Sequence, residues 1–513
     1  MAQAVGIAGG IIFQRVRLLW KKEFKSGNFQ GEQALKHILN ALVFRLTLLL
    51  VFTWNVQGKE WPVSSAQDVS EVLPKLKPGD EVVMKQGRWH DQQIRFAAKG
   101  TLQHPIVLKA QEPGKTRLTG YSFLKIYGSH LVIDGLLFTN GYIDSSKSVI
   151  RLGEDTRHCH LTNTAIIDYA PPNKKAKSAW VHILGLHNRV DYCHFRGKSN
   201  LGVVLSINFS VNQPNYHRIE HNYFGPRPYH GANGAEIIRI GDSTQSHQVS
   251  RTTVAHNLFE GCSGEAEIIT NKSCENYFRR NTFRKCQGAL TLRHGNRSVV
   301  EGNFFLGEGE KNTGGVRVIG EGHRIWNNYF CGLTGSGARA ALSIHNGIPD
   351  SPVGLYHQVK DLEVIHNTFV NNYQTVLVGY AKGKHGAILP PVGTVFANNI
   401  ISGEKSPLIR IDEGGARIKY EGNIVYGVKT GVSSREGLQV VDPKLTKDKT
   451  GIYRPQKDSP AKGTATGVYP EITHDVDGQK RPGQNDVGAD QISTKPILNK
   501  PLFRKDVGPV WRR

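Results

Sequence analysis

The sequence predicts an all-β fold, a right-handed parallel β-helix built as a single solenoid. Three observations carry this prediction. A short motif recurs along the chain, short alternating strands lie between its copies, and long amphipathic helical patterns are missing from the body of the chain. A chain of 513 residues is long for one ordinary domain, but a solenoid grows by adding repeats. One elongated domain can therefore account for most of the length.

The recurring motif is Asn, any residue, then Phe or Ile in most copies, usually with Gly a few positions later. Its asparagines are Asn222, Asn257, Asn281, Asn303, Asn328, Asn367, Asn399 and Asn423. Four of the intervals are 24, 22, 25 and 24 residues, and a period of this size is typical of solenoids. Asn suits a recurring corner because it tolerates left-handed backbone angles and forms local hydrogen bonds. We expect these asparagines to stack into a structural ladder.

The strands are indicated by short runs in which apolar and polar residues alternate. Residues 289–293 (ALTLR) and 316–319 (VRVI) have this pattern, which is typical of strands with one buried face. Residues 76–83 and 131–136 resemble earlier coils of the same solenoid.

The predicted β-helix domain spans residues 59–492. The solenoid itself runs to about residue 430, and residues 431–492 finish it with a looser segment that contains Pro and Gly. Residues 493–513 form a polar, basic C-terminal tail, for which a strap along the solenoid and a disordered segment are both open.

Residues 1–58 are predicted to be a leader with a signal peptide. Lys36 and Arg45 precede an apolar run at residues 46–54 (LTLLLVFTW), and small residues follow up to Gly58. The run is too short for a membrane span, which needs about 20 apolar residues. We therefore expect a periplasmic or secreted protein with no stable membrane insertion after signal cleavage.

The formal net charge is +22 at pH 7, and seven basic and two acidic residues of the leader leave +17 on the remainder. Such a charge favours a polyanionic partner, either nucleic acid, anionic lipid or acidic polysaccharide. The sequence has no helix-turn-helix pattern, RNA-recognition signature or zinc-ligand spacing, so we expect no nucleic-acid partner. The six cysteines are scattered without a CxxC pair, which favours buried fillers over disulfides without excluding the latter.

Two carboxylates, those of Glu265 and Glu267, depart from the repeating pattern of the solenoid. Residues two positions apart on a strand point to the same face, where two carboxylates repel each other unless a cation lies between them. Hard oxygen ligands of this kind suit Ca²⁺. The alternative, which the spacing alone favours, is a solvated acidic pair on the solenoid surface.

Basic residues recur near this pair at about one coil length. Lys272 follows the pair by five residues, Arg293 follows Lys272 by 21, and Arg317 follows Arg293 by 24. Arg239 precedes the pair by 26 residues. Because neighbouring coils lie about 4.8 Å apart, the three arginines are predicted to form a basic column that binds uronate carboxylates. Unrelated surface charges are the alternative.

Several motifs follow one another in order along the chain: residues 233–241 (NGAEIIRIG), 257–260 (NLFE), 265–267 (EAE), 272–273 (KS), 292–295 (LRHG) and 313–320 (TGGVRVIG). Together they resemble polysaccharide lyase family 6, which contains alginate lyases and the chondroitinase B type of dermatan lyase. The strong resemblance covers roughly residues 220–335, with weaker similarity at 78–80 and 488–491.

The resemblance implies a role for five residues. Asn233, Glu265 and Glu267 match the family's Ca²⁺ ligands, Lys272 matches its general base, and Arg293 matches its catalytic arginine. The implied reaction is metal-assisted β-elimination of a 4-linked uronate polymer, which leaves a 4,5-unsaturated uronate end.

The remaining predictions concern binding and substrate. Arg239 and Arg317 are expected to bind the polymer, and His294 either binds substrate or is a structural histidine whose side chain faces away from that of Arg293. Alginate is the favoured acidic polysaccharide, and dermatan or chondroitin sulfate is the alternative. Two further hypotheses are a glycoside hydrolase with Glu265 and Glu267 as its acid pair, and a non-catalytic β-helix that only holds an acidic polysaccharide. The sequence carries no signal for the oligomeric state.

Overall fold

The computed structural model of the chain describes residues 58–209, 212–405, 407–414, 417–433 and 436–512. The predicted signal peptide lies outside the described residues, apart from Gly58 at its end. Within the described part of the chain, no helix is long and apolar enough to cross a membrane.

The described chain is built almost entirely of short strands. In chain order they are β1 Glu60–Val63, β2 Glu81–Met84, β3 Gly87–His90, β4 Gln93–Lys99, β5 Ile106–Ala110, β6 Thr116–Gly120, β7 Phe123–Ser129, β8 Leu131–Asp134, β9 Leu137–Gly141, β10 Ser148–Leu152, β11 His160–Thr162, β12 Ala165–Ile167, β13 Ala179–Ile183, β14 Arg189–Asp191, β15 His194–Arg196, β16 Leu205–Ile207, β17 Arg218–Glu220, β18 Tyr223–Phe224, β19 Ile238–Ile240, β20 Thr253–Ala255, β21 Leu258–Glu260, β22 Glu267–Lys272, β23 Tyr277–Arg279, β24 Thr282–Arg284, β25 Ala289–His294, β26 Val299–Glu301, β27 Phe304–Leu306, β28 Val316–Val318, β29 Arg324–Trp326, β30 Tyr329–Cys331, β31 Leu342–His345, β32 Glu363–Ile365, β33 Thr368–Val370, β34 Val376–Tyr380, β35 Thr394–Ala397, β36 Ile400–Gly403, β37 Ile409–Ile411, β38 Ile418–Glu421, β39 Asn423–Gly427, β40 Leu438–Val440, β41 Leu445–Lys447 and β42 Tyr453–Pro455.

Helical structure is confined to a few turns. The α-helix α1, Ala66–Val72, begins at Ser65, whose hydroxyl accepts a hydrogen bond from the Asp68 amide, and it buries Val69. Single 3₁₀ turns are formed by Leu73–Lys75, Gly337–Arg339, Lys384–Gly386, Arg504–Asp506 and Val510–Arg512.

The strands form three long sheets, and each coil of the chain contributes one strand to each sheet in turn. Sheet A has the order β1-β2-β5-β8-β11-β14-β17-β20-β23-β26-β29-β32-β35-β38. Sheet B has the order β3-β6-β9-β12-β15-β18-β21-β24-β27-β30-β33-β36-β39-β40. Sheet C has the order β4-β7-β10-β13-β16-β19-β22-β25-β28-β31-β34-β37. Neighbouring strands within these sheets are parallel, which confirms the predicted parallel β-helix.

The core follows from the alternation within each strand. In β5, Ile106, Leu108 and Ala110 are buried while the residues between them face outward. The Phe of the recurring motif points inward and stacks on its equivalent in the next coil, with ring centroids 4.5–4.8 Å apart from Phe224 to Phe369. The sequence motif therefore marks a continuous aromatic stack inside the solenoid.

The asparagines of the motif form the predicted ladder. From Asn222 to Asn399, each backbone N–H donates to the side-chain oxygen of the next asparagine over 2.9–3.0 Å. The left-handed backbone lies one residue earlier, for example at His221, His256 and Arg280. Asn is therefore required in the ladder for the hydrogen bonds of its side-chain amide. We expected Asn itself to adopt the left-handed backbone conformation, but the preceding residue adopts it.

The chain beyond β40 returns along the outside of sheet B. Ile452, Val476 and Ala489 cover outward-facing apolar residues such as Phe304 and Tyr329. Farther along, the amide of Leu502 donates to the hydroxyl of Thr282 over 2.9 Å, and the indole of Trp511 donates to the carbonyl of Asn163 over 3.0 Å. The basic tail is thus a strap on the solenoid in this structure.

All six cysteines lie in the described part of the chain, and none of them forms a disulfide. Five are buried and Cys331 is half-buried, so the prediction of small buried fillers is confirmed.

Candidate active site

Most of the predicted site residues lie on or beside sheet C, where the pairing of β22 with β25 departs twice from regular register. Glu267 pairs with Ala289 but Ile269 pairs with Leu290, which leaves Ile268 as an extra residue. Asn271 then pairs with Leu292 and Lys272 with His294, which leaves Arg293 as an extra residue of β25. An extra residue redirects the side chains around it, and such bulges often border functional sites.

The carboxylate pair is not a solvated surface pair, because Glu265 is buried and the side chain of Glu267 is only 15% exposed. Glu265 is 8% exposed, and its carboxylate accepts a hydrogen bond from the Gly234 amide over 3.0 Å. Burial, together with the negative charges of Glu236 and Glu267, raises the pKa of Glu265 to about 8. Glu267 accepts a hydrogen bond from the hydroxyl of Thr270 over 2.7 Å.

A third carboxylate, Glu236, belongs to the same cluster. It is buried in the coil before Glu267, and the neighbouring residues pair Ile238 with Ile269 across β19 and β22. Within the described residues its Oε2 atom is buried and has no hydrogen-bond partner. A buried carboxylate oxygen without a donor is costly, which makes this cluster attractive to a cation.

Lys272 lies at the end of β22, with its side chain partly buried beside this cluster. Burial lowers the pKa of Lys272, and Arg239 and Arg293 lower it further, whereas Glu236 and Glu267 act in the opposite direction. Its ammonium group donates to the Ser243 hydroxyl over 3.4 Å. A lowered pKa increases the fraction of neutral amine, which is the form that can accept a proton.

Arg293 and Arg317 approach Glu267 from the following coils. The distance from Arg293 Nε to Glu267 Oε1 is 3.9 Å, and that from Arg317 Nη1 to the same oxygen is 3.4 Å. Both guanidinium groups also face the ring of Tyr356, at 4.2 Å for Arg293 and 5.9 Å for Arg317. Burial lowers the pKa of Arg293 from its ordinary value, yet an arginine remains charged at neutral pH.

The predicted basic column is wrong in its register. Arg239 pairs with Thr270, Thr270 with Thr291, and Thr291 with Arg317. Arg239 and Arg317 therefore share one position along sheet C, while Arg293 lies two residues farther along β25 at the bulge. Of these three arginines, Arg293 and Arg317 lie within 4.0 Å of Glu267, and the guanidinium group of Arg239 contacts the Ser206 hydroxyl at 3.5 Å.

His294 is buried and does not face away from Arg293 as strict alternation predicts. Its Nδ1 atom lies 3.5 Å from Arg293 Nη1, because the bulge at Arg293 interrupts the alternation. Burial lowers the pKa of His294 to about 2, and the charges of Arg293 and Lys272 contribute. A neutral imidazole therefore supports the arginine from the side.

Asn233 is exposed in the loop between β18 and β19. The amide of the next residue, Gly234, holds Glu265, so the loop backbone lies directly at the carboxylate cluster. Among the described residues, no group of three or more His, Cys, Asp or Glu side chains is gathered closely enough to hold a metal ion. The residues that would hold a hard cation here are Glu265 and Glu267, with an amide oxygen of the adjoining loop such as that of Asn233.

Sequence reasoning missed four residues of the site: Glu236, Ser243, Tyr356 and Tyr380. Glu236 lies within the recognised motif but received no role, and its alignment with Glu267 depends on the insertion between their coils. Tyr356 comes from the loop after β31, and Tyr380 at the end of β34 lies 5.8 Å from Arg317. No spacing in the sequence connects these aromatic residues to the arginines.

Comparison with known proteins agrees with this geometry. The family model of Chondroitinase B matches residues 63–467. A comparison with curated proteins finds no match.

Solved structures of polysaccharide lyase family 6 are similar over most of the chain. The alginate lyase AlyGC is 33% identical, with a TM-score of 0.78, over 88% of this chain and 58% of that chain. A mannuronic-acid-specific family 6 lyase from the human gut microbiota is 34% identical, with a TM-score of 0.68, over 75% of this chain and 91% of that chain. The family 6 lyase Pedsa3628 from Pseudopedobacter saltans is 27% identical, with a TM-score of 0.65, over 88% and 99%.

The chain thus spans little more than half the length of AlyGC but nearly all of the gut lyase. The family match, the parallel β-helix and the cluster of Glu265, Glu267, Lys272 and Arg293 agree with one another. The chain therefore belongs to polysaccharide lyase family 6, the family of chondroitinase B and of the alginate lyase AlyGC.

Proposed function

We propose that the protein is a polysaccharide lyase that cleaves a 4-linked uronate polymer, alginate, by β-elimination. The observation that carries the proposal is the placement of Lys272, an amine whose pKa is lowered by burial, beside two arginines and above a buried carboxylate cluster. Perturbed groups of this kind concentrate at functional sites.

The proposed reaction removes the proton at C5 of the uronate that follows the cleaved bond. Lys272 accepts this proton in its neutral form, and the electrons form the C4–C5 double bond as the C4–O bond breaks. The departing oxygen takes up a proton from water and becomes the hydroxyl of the new reducing end. Arg293 stabilises the negative charge that develops, since its high pKa makes it a poor proton donor. Arg239 and Arg317 bind uronate carboxylates, and His294 keeps Arg293 in place.

Asn233, Glu265 and Glu267 would hold one Ca²⁺ ion. When bound, this ion would supply Lewis-acid neutralisation of the substrate carboxylate, which makes the C5 proton more acidic. The fit rests on the chemistry of the donors and on the neighbouring Glu236 Oε2, to which no donor among the described residues forms a hydrogen bond.

Alginate is proposed as the substrate because two of the similar structures are described as an alginate lyase and a mannuronic-acid-specific lyase. The match to Chondroitinase B keeps dermatan sulfate as the second candidate. The test incubates the protein with alginate, with its mannuronate and guluronate blocks, and with dermatan sulfate.

Two readouts separate the hypotheses in this test. Ultraviolet absorbance reports the conjugated double bond, and a reducing-end assay reports every broken glycosidic bond. We expect both signals to rise together with alginate. Reducing ends without absorbance would indicate a hydrolase, binding without either signal would indicate a non-catalytic β-helix, and a response to dermatan sulfate alone would replace alginate.

We also propose that the protein acts in the periplasm or outside the cell. The support is the apolar run that follows Lys36 and Arg45 in the leader. N-terminal sequencing of protein recovered outside the cytoplasm should find a new end near Gly58, whereas an uncleaved cytoplasmic protein would contradict export.

A further inference from the structure

One outward-facing position of sheet C can be followed from coil to coil by its strand pairing. Toward the N-terminus from Arg239, the residues that pair in succession at this position are Ser206, His182, Arg151, Lys125 and Arg95. Paired residues of neighbouring strands lie about 4.8 Å apart, so their side chains form one row. We name Arg95, Lys125 and Arg151 the cationic row.

Few negatively charged side chains lie close to the cations of this row. Arg95 and Lys125 are exposed, and the side chain of Arg151 is 33% exposed. Within the described part of the chain, the only carboxylate within 4.0 Å of the three is that of Glu154, which is itself 71% exposed. Such a pair is weak in water and is easily exchanged for another anion.

Aromatic rings, rather than carboxylates, support the first two cations. The guanidinium group of Arg95 lies 3.9 Å from the ring centre of Tyr127, and the ammonium group of Lys125 lies 5.1 Å from that of Phe123. A ring holds the side chain in place and leaves its charge available. Cations on aromatic supports form a surface suited to an acidic sugar, which has both carboxylates and apolar ring faces.

The row is continuous with the candidate active site. Arg151 Nη1 lies 3.1 Å from His182 Nδ1, and Ser206 connects the next coil to Arg239. On the other side of Arg317, the same position is occupied by Ser343 and Leu377, which are both buried. The next residue at this position, Arg410, is ion-paired with Asp412 at 2.7 Å. Cations without a close carboxylate partner on their own strand therefore adjoin the site on the side of the N-terminal coils.

We propose that the cationic row binds a distal segment of the same uronate polymer, several sugars away from the bond that is cleaved. This inference rests on the proposed function. Arg239 and Arg95 are five coil steps apart, which is about 24 Å. A 4-linked pyranose residue is about as long as one coil step, so a polymer lying along the solenoid would place about one carboxylate on each coil. A row one residue wide fits a linear polyanion better than a flat anionic surface.

The test compares two triple variants of equal charge change. The first is Arg95→Gln, Lys125→Gln and Arg151→Gln. The control is Arg117→Gln, Lys115→Gln and Arg279→Gln, which removes two arginines and one lysine that are exposed away from sheet C. Each protein is assayed by ultraviolet absorbance on long alginate and on an alginate trisaccharide, which is too short to span from Lys272 to Arg151.

For the row variant we expect the KM for long alginate to rise about tenfold, since each exposed ion pair contributes a few-fold at most. Its kcat on the polymer and its kcat/KM on the trisaccharide should match those of the wild type. The dependence of the polymer KM on salt should also become shallower than in the wild type, because fewer charge contacts are screened. The control variant should behave as the wild type in every assay.

An unchanged polymer KM in the row variant would overturn the inference, as would an equal rise for the trisaccharide or in the control variant. If the wild type forms no unsaturated product from any uronate polymer, the proposed function fails instead. In that case, retardation of the same proteins in a native gel containing alginate still tests the row, and equal retardation of wild type and row variant would overturn it.

Discussion

The asparagine ladder beside sheet B and the outer face of sheet C around Lys272 both bury polar side chains, but their hydrogen bonding differs. In the ladder, the amide of Asn281 accepts from the backbone and side chain of Asn257 and donates to Asn303 and to the carbonyl of Val254. On sheet C, atoms such as Glu236 Oε2, Arg239 Nε and Arg317 Nε are buried without a hydrogen-bond partner among the described residues.

This difference follows the regularity of the strand pairing. The ladder lies where every coil repeats the same register, so each new coil satisfies the polar groups of the last. The site lies where β22 and β25 each carry an extra residue, so its polar groups are not satisfied by the next coil. The regular region thus stabilises the solenoid, and the irregular region retains the capacity to bind a ligand.

Among substitutions that leave Lys272 in place, the largest effect is expected in the carboxylate cluster, where Glu267→Gln should leave the fold intact and remove most of the activity. Loss of this charge weakens the proposed Ca²⁺ site and frees Arg293 and Arg317, so we expect kcat to fall about 10²–10³-fold. Steady-state kinetics on alginate measure the change, and Glu112→Gln on the exposed surface is the control. Exhaustive chelation of the wild type should have a similar effect that added Ca²⁺ reverses, and full activity in a metal-free protein would contradict the metal site.

The ladder should respond in stability instead of activity. Asn281→Ala leaves the donors of Asn257 and the acceptors on Val254 and Asn303 unpaired in the core, so the free energy of unfolding should fall by about 3 kcal/mol. Urea denaturation measures this loss. Asn212→Ala, at an exposed asparagine outside the ladder, should change it by less than about 0.5 kcal/mol. Equal effects of the two substitutions would show that the ladder does not contribute specifically to the stability of the solenoid.

In the turns that precede the strands of sheet A, side chains of neighbouring coils form a second ladder. Its residues are less uniform, and we expect its stability to be sensitive to acid. His217 is buried there, accepts the Asn188 amide over 3.1 Å, and has its pKa lowered to about 3 by burial and by the charge of His187. Its ordinary pKa in the unfolded chain is about 6.5, so the unfolded state binds the proton first as the pH falls. Stability is therefore complete above pH 6.5 and is lost between pH 6.5 and 3, by about 1.4 kcal/mol per pH unit.

His217→Asn tests this acid sensitivity, because Asn188 accepts a backbone amide in the same way one coil earlier. Urea unfolding at pH 7 and pH 5 should show a difference between the two pH values that is about 2 kcal/mol smaller in the variant than in the wild type. A pH dependence identical to that of the wild type would show that His217 is protonated equally in both states.

The smallest of these effects is expected for Arg317→Ala. Arg317 and Arg293 both form ion pairs with Glu267, but Arg317 lies one coil farther from Lys272. Its loss should therefore weaken substrate binding more than it slows the chemical step. We expect the KM for alginate to rise about tenfold, which corresponds to about 1.4 kcal/mol, with kcat nearly unchanged. A fall in kcat without a change in KM would place Arg317 in the chemical step.

The regular asparagine ladder could be predicted from the sequence, whereas much of the irregular site around Lys272 could not. The period of the Asn motif is enough to predict the β-helix and the ladder, whereas the inward Phe stack was seen only in the structure. Arg293 follows Lys272 by 21 residues and Glu267 by 26, about one coil, which predicted that it lies beside them. The bulge that moves Arg293 out of register with Arg317 leaves no mark in the alternation of β25.

Loops account for the other residues that the sequence did not reveal. Tyr356 contacts Arg293 from a loop that lies 63 residues farther along the chain. Glu236 lies near Glu267, but an insertion between them makes their separation in sequence longer than the usual coil. A repeat predicts which residues stack only while coil lengths stay constant. Contacts formed by insertions depend on the folded path of each loop.

The central claim is that Lys272 is the base of an elimination, and kinetics of Lys272→Ala on alginate test it most directly. The amine is needed only for proton transfer, while Arg239, Arg317 and the carboxylate cluster remain to hold the polymer. The account predicts that formation of the unsaturated product, followed by ultraviolet absorbance, falls at least about 10³-fold in kcat while affinity for alginate stays within a few-fold of the wild type. A variant that keeps a near-normal kcat at saturating alginate would contradict the account.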